Sequence, residues 1–193
     1  MAEYIWGTPD DDVLPKSWGM VDFKKSSFGE WRLRSIQPNT DYGEAIVNFK
    51  RWSLEKLSKW HCPPAVAGLL ISPALRQVVR RFADEEDLLF YPVNLVCKDG
   101  LNKDYQYLAP RHEVSCIDFD KSVPALDRHS YTLGYISSGQ KIYFRENCLG
   151  NRHIAWEAKL SMKIVVSEAL KEAVLELNDP GIDFILPQNY NWI

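Results

Sequence analysis

Leu70-Ile71-Ser72-Pro73-Ala74-Leu75 and Val165-Val166-Ser167-Glu168-Ala169-Leu170 are the stretches whose reading decides the fold, because both follow one pattern. Each ends a short apolar run at a serine, a favoured N-cap whose hydroxyl oxygen accepts from an otherwise unpaired amide of the first helical turn. Beyond the serine, the apolar positions change to a period near 3.6. Leu75, Val78, Val79 and Phe82 form one stripe, and Leu170, Ala173, Val174 and Leu177 form the other, each at i, i+3, i+4, i+7. This spacing predicts amphipathic helices over about 72–82 and 168–177. After each comes a short apolar segment with Phe and Pro, Leu88-Leu89-Phe90-Tyr91-Pro92 in the first case and Phe184-Ile185-Leu186-Pro187 in the second. Two accounts fit the repeat: internal duplication, or the shared grammar of serine-capped helices built from Ala and Leu. Either way the chain holds two strand-helix-strand units, and that architecture alone names no function.

Outward from these units, residues 88–97 read as a strand in which Pro92 calls for an edge position or a bulge. Lys98-Asp99-Gly100 follows as a hairpin turn. Residues 105–108, 114–119, 131–136 and 141–145 read as further strands, with Ser137-Ser138-Gly139-Gln140 as a second hairpin. The last third reads as a strand at 162–166, the second helix, a stop at Asn178-Asp179-Pro180-Gly181 and a final strand. Residues 1–62 are rich in tryptophan, with Trp6, Trp18, Trp31, Trp52 and Trp60. Within them 45–60 fits both helix and strand patterns, and the reading adopted is a strand followed by a short helix near 53–60. Strands outnumber helices and most links are short. The prediction is an α+β fold, a mainly antiparallel sheet with the two amphipathic helices packed on it. The 193 residues fit a single domain, 1–193, made of a Trp-rich N-terminal portion (1–62) and a core over 65–187.

With 46% hydrophobic and 25% charged residues the composition is that of a globular chain. No segment reaches the roughly 20 apolar residues of a membrane span. Met1-Ala2-Glu3-Tyr4-Ile5-Trp6 lacks the basic start and apolar stretch of a secretory signal, so cytoplasmic residence is expected. A net charge of −3 offers no basic stripe for nucleic acid. Arg76, Arg80 and Arg81 are answered at once by Asp84, Glu85, Glu86 and Asp87. This run and Asp10-Asp11-Asp12 suit a basic protein partner instead. Cys62, Cys97, Cys116 and Cys148 form no CxxC pair. They are expected to be free thiols, Cys97 and Cys116 buried in strands, with two disulfides as the alternative.

Chemistry-bearing constellations are sparse. His112, Glu113, Asp118 and Asp120 include competent metal ligands, and Asp118 and Asp120 would share one face of a strand. The solvent face of an antiparallel strand has the same pattern. Asp127 with Glu157-Ala158-Lys159 matches the acid and Glu-x-Lys of a magnesium-dependent nuclease, without the basic surface such an enzyme needs. His61, His129 and His153 lack a third partner and read as structural or surface histidines. Neither G-x-S-x-G, G-x-x-x-x-G-K nor G-x-G-x-x-G occurs. No catalytic residue, metal or cofactor is predicted, and the balance favours a binding protein over an enzyme. A metal-dependent hydrolase or nuclease is the alternative.

The succession of Leu70-Ile71-Ser72-Pro73-Ala74-Leu75, Phe90-Tyr91-Pro92-Val93, Asp99-Gly100 with Tyr105 to Leu108, Cys116-Ile117-Asp118-Phe119-Asp120-Lys121-Ser122, Tyr143-Phe144-Arg145, Val165-Val166-Ser167-Glu168-Ala169-Leu170 and Gly181-Ile182-Asp183-Phe184 resembles a family of immunity proteins from bacterial polymorphic-toxin systems. It covers roughly residues 65–187, and Pro73 is a departure from an ordinary helix former. The resemblance implies a protein that binds and neutralises a cognate toxin of the same bacterium in interbacterial competition, without catalysis. That task needs aromatic anchors and complementary charge. Asp84, Glu85, Glu86, Asp87, Asp118 and Asp120 are the expected toxin-binding residues, joined by any exposed tryptophans. Oligomeric state is left open.

Overall fold

The computed structural model describes residues 2–7, 20–21, 43–65, 69–122, 141–160, 163–179 and 181–189. Its strands are β1 (Glu3–Gly7), β2 (Met20–Val21), β3 (Ala45–Phe49), β4 (Leu69–Ile71), β5 (Leu88–Cys97), β6 (Gly100–Asn102), β7 (Gln106–Pro110), β8 (Glu113–Val114), β9 (Ile154–Glu157), β10 (Ile164–Ser167) and β11 (Asp183–Ile185). Among the described residues three α-helices accompany them, α1 (Leu54–Leu57), α2 (Pro73–Val79) and α3 (Glu168–Leu175), with a 3-10 turn at Pro187–Asn189. The predicted α+β class holds, with two sheets in place of one. One runs β11-β1-β10-β9-β8 and the other β2-β3-β5-β7-β4, with β6 also on β5. Only β3 with β5 and β8 with β9 are parallel among these pairs.

Both predicted helices form, shorter than their apolar stripes. Ser72 Oγ accepts from Leu75 N at 3.2 Å and Ser167 Oγ from Leu170 N at 3.3 Å, so each serine satisfies a first-turn amide. Pro73 takes the first helical position, where its missing N–H costs nothing and its fixed φ suits the helix. Leu75, Val78 and Val79 bury from α2, and Leu170 and Val174 from α3.

The repeat extends well beyond the capped helices. β4 and β5, which flank α2, both pair antiparallel with β7. β10 and β11, which flank α3, both pair antiparallel with β1. Each unit is therefore a strand-helix-strand crossover split by one antiparallel strand. In both, a histidine bonds the capping serine twice. Ser72 N donates to His61 O at 2.8 Å while His61 Nδ1 lies 2.8 Å from Ser72 Oγ. Ser167 N donates to His153 O at 3.0 Å while His153 Nδ1 lies 2.8 Å from Ser167 Oγ. The units diverge just after the histidine. His153 leads into β9, which pairs with β10, whereas His61 leads into Cys62-Pro63-Pro64, whose prolines have no N–H to give a ladder. Equivalent pairing topology and equivalent His-Ser contacts favour pseudo-symmetry over shared helix grammar.

β5 carries the predicted irregularity. Its ladder with β7 ends at Pro92 opposite Gln106, and its parallel ladder with β3 begins at Val93 opposite Ala45. Lys103, Asp104 and Tyr105 oppose only Val93 and Asn94, so β6 and β7 are separated by a one-residue bulge beside Pro92. The β5–β6 hairpin closes over Lys98 and Asp99. Asp99 Oδ1 accepts from Leu54 N at 2.9 Å, at the first turn of α1. The strand followed by a short helix read from 45–60 is β3 followed by α1.

Trp6, Trp52, Trp60 and Trp156 are all buried. They join residues of both sheets and both long helices in the main core, with Leu70, Val79, Leu95, Val166 and Val174. β10 buries all four residues, alternating sides: Ile164 and Val166 join the main core, while Val165 packs with Cys116, Leu149 and Ala155. Beside that second face, Ile5 packs with Ile117, Ile142 and Leu160. The segments around 116–122 and 141–149 thus cover the face of the first sheet opposite the main core.

Candidate functional site

Asp84, Glu85, Glu86 and Asp87 form the turn between α2 and β5. Asp84 Oδ1 accepts from Glu86 N at 2.9 Å and Asp87 N at 3.3 Å, a local side-chain bond that fixes the turn. Glu85 lies 3.4 Å from Arg80 Nη2, an exposed pair. Asp87 meets His112 Nε2 at 3.0 Å and Arg152 Nε at 3.9 Å. Arg111 N donates to Asp87 O at 2.8 Å and Arg111 Nη1 to Glu85 O at 3.0 Å. Arg80, Arg111, His112 and Arg152 therefore converge on this turn, and the three arginines offset part of its negative field. The side chains of Asp84, Glu85 and Glu86 remain exposed.

Asp118 and Asp120 do not sit on one face of a strand, as the sequence reading expected. Beyond β8, the described pairing between the expected strands at 114–119 and 141–145 is an isolated bridge between Ile117 and Phe144 and not a continuous ladder. The chain turns because Asp118 Oδ1 accepts from Asp120 N at 3.1 Å and Lys121 N at 3.2 Å, closing the loop before a ladder can extend. Ser122 Oγ donates to Asp118 O at 2.6 Å and accepts from Tyr143 N at 3.2 Å, tying the turn to the neighbouring segment. Partial burial would raise the Asp118 carboxyl, but the two amides and the Lys121 ammonium outweigh it and hold it below its ordinary value. Asp120 is exposed at the tip.

Two buried carboxylates support this region. Glu157 is fully buried and accepts from Cys116 N at 3.1 Å, Lys159 N at 2.5 Å and Leu160 N at 2.7 Å, and from the backbone of Ile117. Burial pushes its carboxyl up against the opposing pull of those donors. Glu3, on β1, accepts from the backbone of Asn147 and Cys148, and burial raises its carboxyl as well. The cysteines so anchored are joined: Cys116 and Cys148 form a disulfide. This corrects the expectation of four free thiols, which holds for Cys62 and Cys97, both buried. Desolvation, aided by Asp179, pushes the Cys62 thiol up and keeps it unreactive.

The candidate metal set does not assemble among the described residues, which hold no group of three or more His, Cys, Asp and Glu side chains able to bind one ion; the nuclease set includes Asp127, outside them. His112 faces Asp87, and the Glu157 carboxylate is directed at backbone amides. His61 and His153 are committed to Ser72 and Ser167. Asp127 and His129, the Asp10-Asp11-Asp12 run, Trp18, Trp31, the 131–136 strand and the Ser137-Ser138-Gly139-Gln140 hairpin lie outside the described residues. No described helix is long and apolar enough to cross a membrane.

Sequence reasoning missed Glu3, Glu157 as an amide acceptor, the Cys116–Cys148 pair and both His-Ser pairs. The first three depend on contacts that no local spacing encodes. The histidines offered one faint signal, a His preceding each capping serine by a similar but unequal interval.

No curated protein matches the chain. The family model of the Immunity protein family (Imm11) matches residues 51–187, which extends the recognisable region upstream of the 65–187 read from motifs and takes in β3's successor helix α1 and the His61 segment. With well over half of its length matched, the chain belongs to the Imm11 immunity protein family.

Proposed function

We propose that this chain binds a cognate bacterial toxin and neutralises it by protein-protein contact, without catalysis, in the cytoplasm of the cell that makes both. The observation that carries the reading is the family match over residues 51–187. The toxin belongs to a polymorphic system used in interbacterial competition, and its contacting face is basic. Asp84, Glu85, Glu86, Asp87, Asp118 and Asp120 supply the complementary charge. In support, both acidic turns are fixed by Asp side chains bonded to their own backbone. A preformed turn loses little conformational freedom when a partner docks on it. The Trp-rich portion and the family-like core act as one unit, a reading supported by Trp6, Trp52 and Trp60 sharing a core with Val79, Val166 and Val174. The buried tryptophans serve stability, so charge has to do more of the recognition than aromatic anchoring.

The test mixes the purified chain with the product of the adjacent upstream gene and follows complex formation by calorimetry at low and high salt. Association that weakens as salt screens the charges is expected. Absence of association at any ionic strength overturns the proposal.

A further inference from the structure

We propose that Cys116 and Cys148 form a reversible thiol-disulfide switch that stiffens the 118–122 turn when oxidised and releases it when reduced. The geometry supplies three observations. The first is that the two cysteines are held next to each other by bonds that do not depend on the disulfide. Cys116 N donates to the buried Glu157 carboxylate, on β9, at 3.1 Å. The Cys148 backbone donates to Glu3, on a different strand. The Cα atoms lie 5.0 Å apart, within the range a disulfide spans. Reduction therefore leaves two thiols already facing each other, and reclosure needs no refolding.

The second observation is adjacency to the acidic turn. Asp118 N donates to Tyr143 O at 2.8 Å, one residue on from the Ile117–Phe144 bridge. Cys116 and Cys148 clamp the segments that carry this short ladder, and the 118–122 turn projects from its end. An isolated bridge of this kind opens more readily than a continuous ladder, so a covalent clamp beside it has a large local effect.

The third is asymmetric access. Cys116 is completely buried, whereas Cys148 is only partly so. Reduction enters at Cys148. A thiolate of an external dithiol attacks Cys148 Sγ, the S–S bond breaks, and Cys116 leaves as a thiolate that takes up a proton. The second thiol of the reductant then attacks the mixed disulfide and frees Cys148, and the reductant departs as its own disulfide. Closure runs the same exchange in reverse with an external disulfide as oxidant, the two cysteines giving up two electrons and two protons.

The switch itself is independent of the toxin-binding reading, and only its consequence for toxin contact through Asp118 and Asp120 rests on it. Hydrogen exchange followed by mass spectrometry on the full chain tests it without any toxin, with dithiothreitol as reductant and oxidised glutathione as oxidant. After glutathione, alkylation of the unfolded chain should find two free thiols, Cys62 and Cys97; after dithiothreitol it should find four. Reduction should accelerate exchange of amides 118–122 by on the order of tenfold or more while α3 and β10 keep their protection. Reoxidation should restore it. A Cys148→Ser variant, at the less buried position, should exchange fast at that turn in either buffer. Four free thiols under oxidising conditions, unchanged exchange on reduction, or loss of protection throughout the chain would each overturn the proposal, as would slow exchange at the turn in Cys148→Ser.

Discussion

Asp179 accepts a 2.7 Å hydrogen bond from the backbone N–H of Cys62, and its carboxylate also takes the N–H of His61 and, at 2.6 Å, of Gly181. The turn between α3 and β11 of the second strand-helix-strand unit thereby caps the segment that opens the first. Tyr105 Oη reaches the same segment, donating to the carbonyls of Leu57 and Trp60 at 3.0 and 2.7 Å. The two halves of the repeat are joined here by polar bonds as well as by their shared core.

Replacing Asp179 with Ala strands the amides of His61 and Cys62 in a part-buried site. We expect a loss of about 2–3 kcal/mol, read as a lower urea midpoint with unchanged slope. Gly181→Ala should act at the same joint by another route. An added Cβ would collide with the Cys62 carbonyl oxygen and lie 2.8 Å from the Trp60 ring, and the backbone oxygen cannot move aside cheaply. A cost of about 2 kcal/mol follows. The double variant should lose less than the sum, because both changes loosen one contact.

Ser72→Ala and Ser167→Ala should destabilise by similar amounts, about 1–2 kcal/mol each. Each removes the acceptor for a first-turn amide and the partner of a histidine Nδ1. Chemical denaturation of the two single variants checks this. A cost at one site and none at the other would contradict the structural equivalence of the units.

Glu157 and Glu3 set a pH dependence of defined sign. Burial raises both carboxyls above their ordinary value when folded. Their stabilising contribution is therefore fully present below the unfolded value of 4.5 and is lost as pH rises through the higher folded value. Glu157→Gln cannot take up that proton and turns an amide NH2 toward backbone N–H donors, at a cost of about 1–3 kcal/mol. The urea midpoints of wild type and variant should move apart as pH is lowered toward 4.5. Convergence would contradict the raised Glu157 carboxyl.

Charge reversal at Glu85, Glu86 and Asp120, combined in one variant, should leave the fold intact because these side chains are exposed. Asp84, Asp87 and Asp118 are kept, since their carboxylates bond the backbone of the turns or meet His112 and Arg152, whereas the Glu85–Arg80 pair is exposed and contributes little. The expected result is an unchanged melting temperature with toxin association slowed about tenfold or more at low salt, and a smaller penalty at high salt.

What the sequence made legible was local. Ser72 and Ser167 announced their helices because a cap and a 3.6-residue stripe are encoded within a dozen positions, and Lys98-Asp99-Gly100 announced its hairpin for the same reason. Sheet assembly was not legible in this way. β1 pairs with β10 and β11 from the opposite end of the chain, and only the fold brings Glu3 to Cys148. At Asp118 the alternation suggested a strand, but the side chain's bonds to Asp120 and Lys121 compete with a ladder and win. The acidic run at 84–87 was visible as charge, whereas the side chains of Arg111, His112 and Arg152 that converge on it were not.

The central claim is neutralisation, and survival measures it most directly. The upstream toxin gene is induced in a susceptible bacterial host with and without this chain on a second plasmid. The account predicts growth arrest with the toxin alone and restored growth when the chain is co-expressed, diminished for the Glu85, Glu86 and Asp120 reversal variant. Arrest that persists despite well-folded, abundant wild-type chain would contradict it.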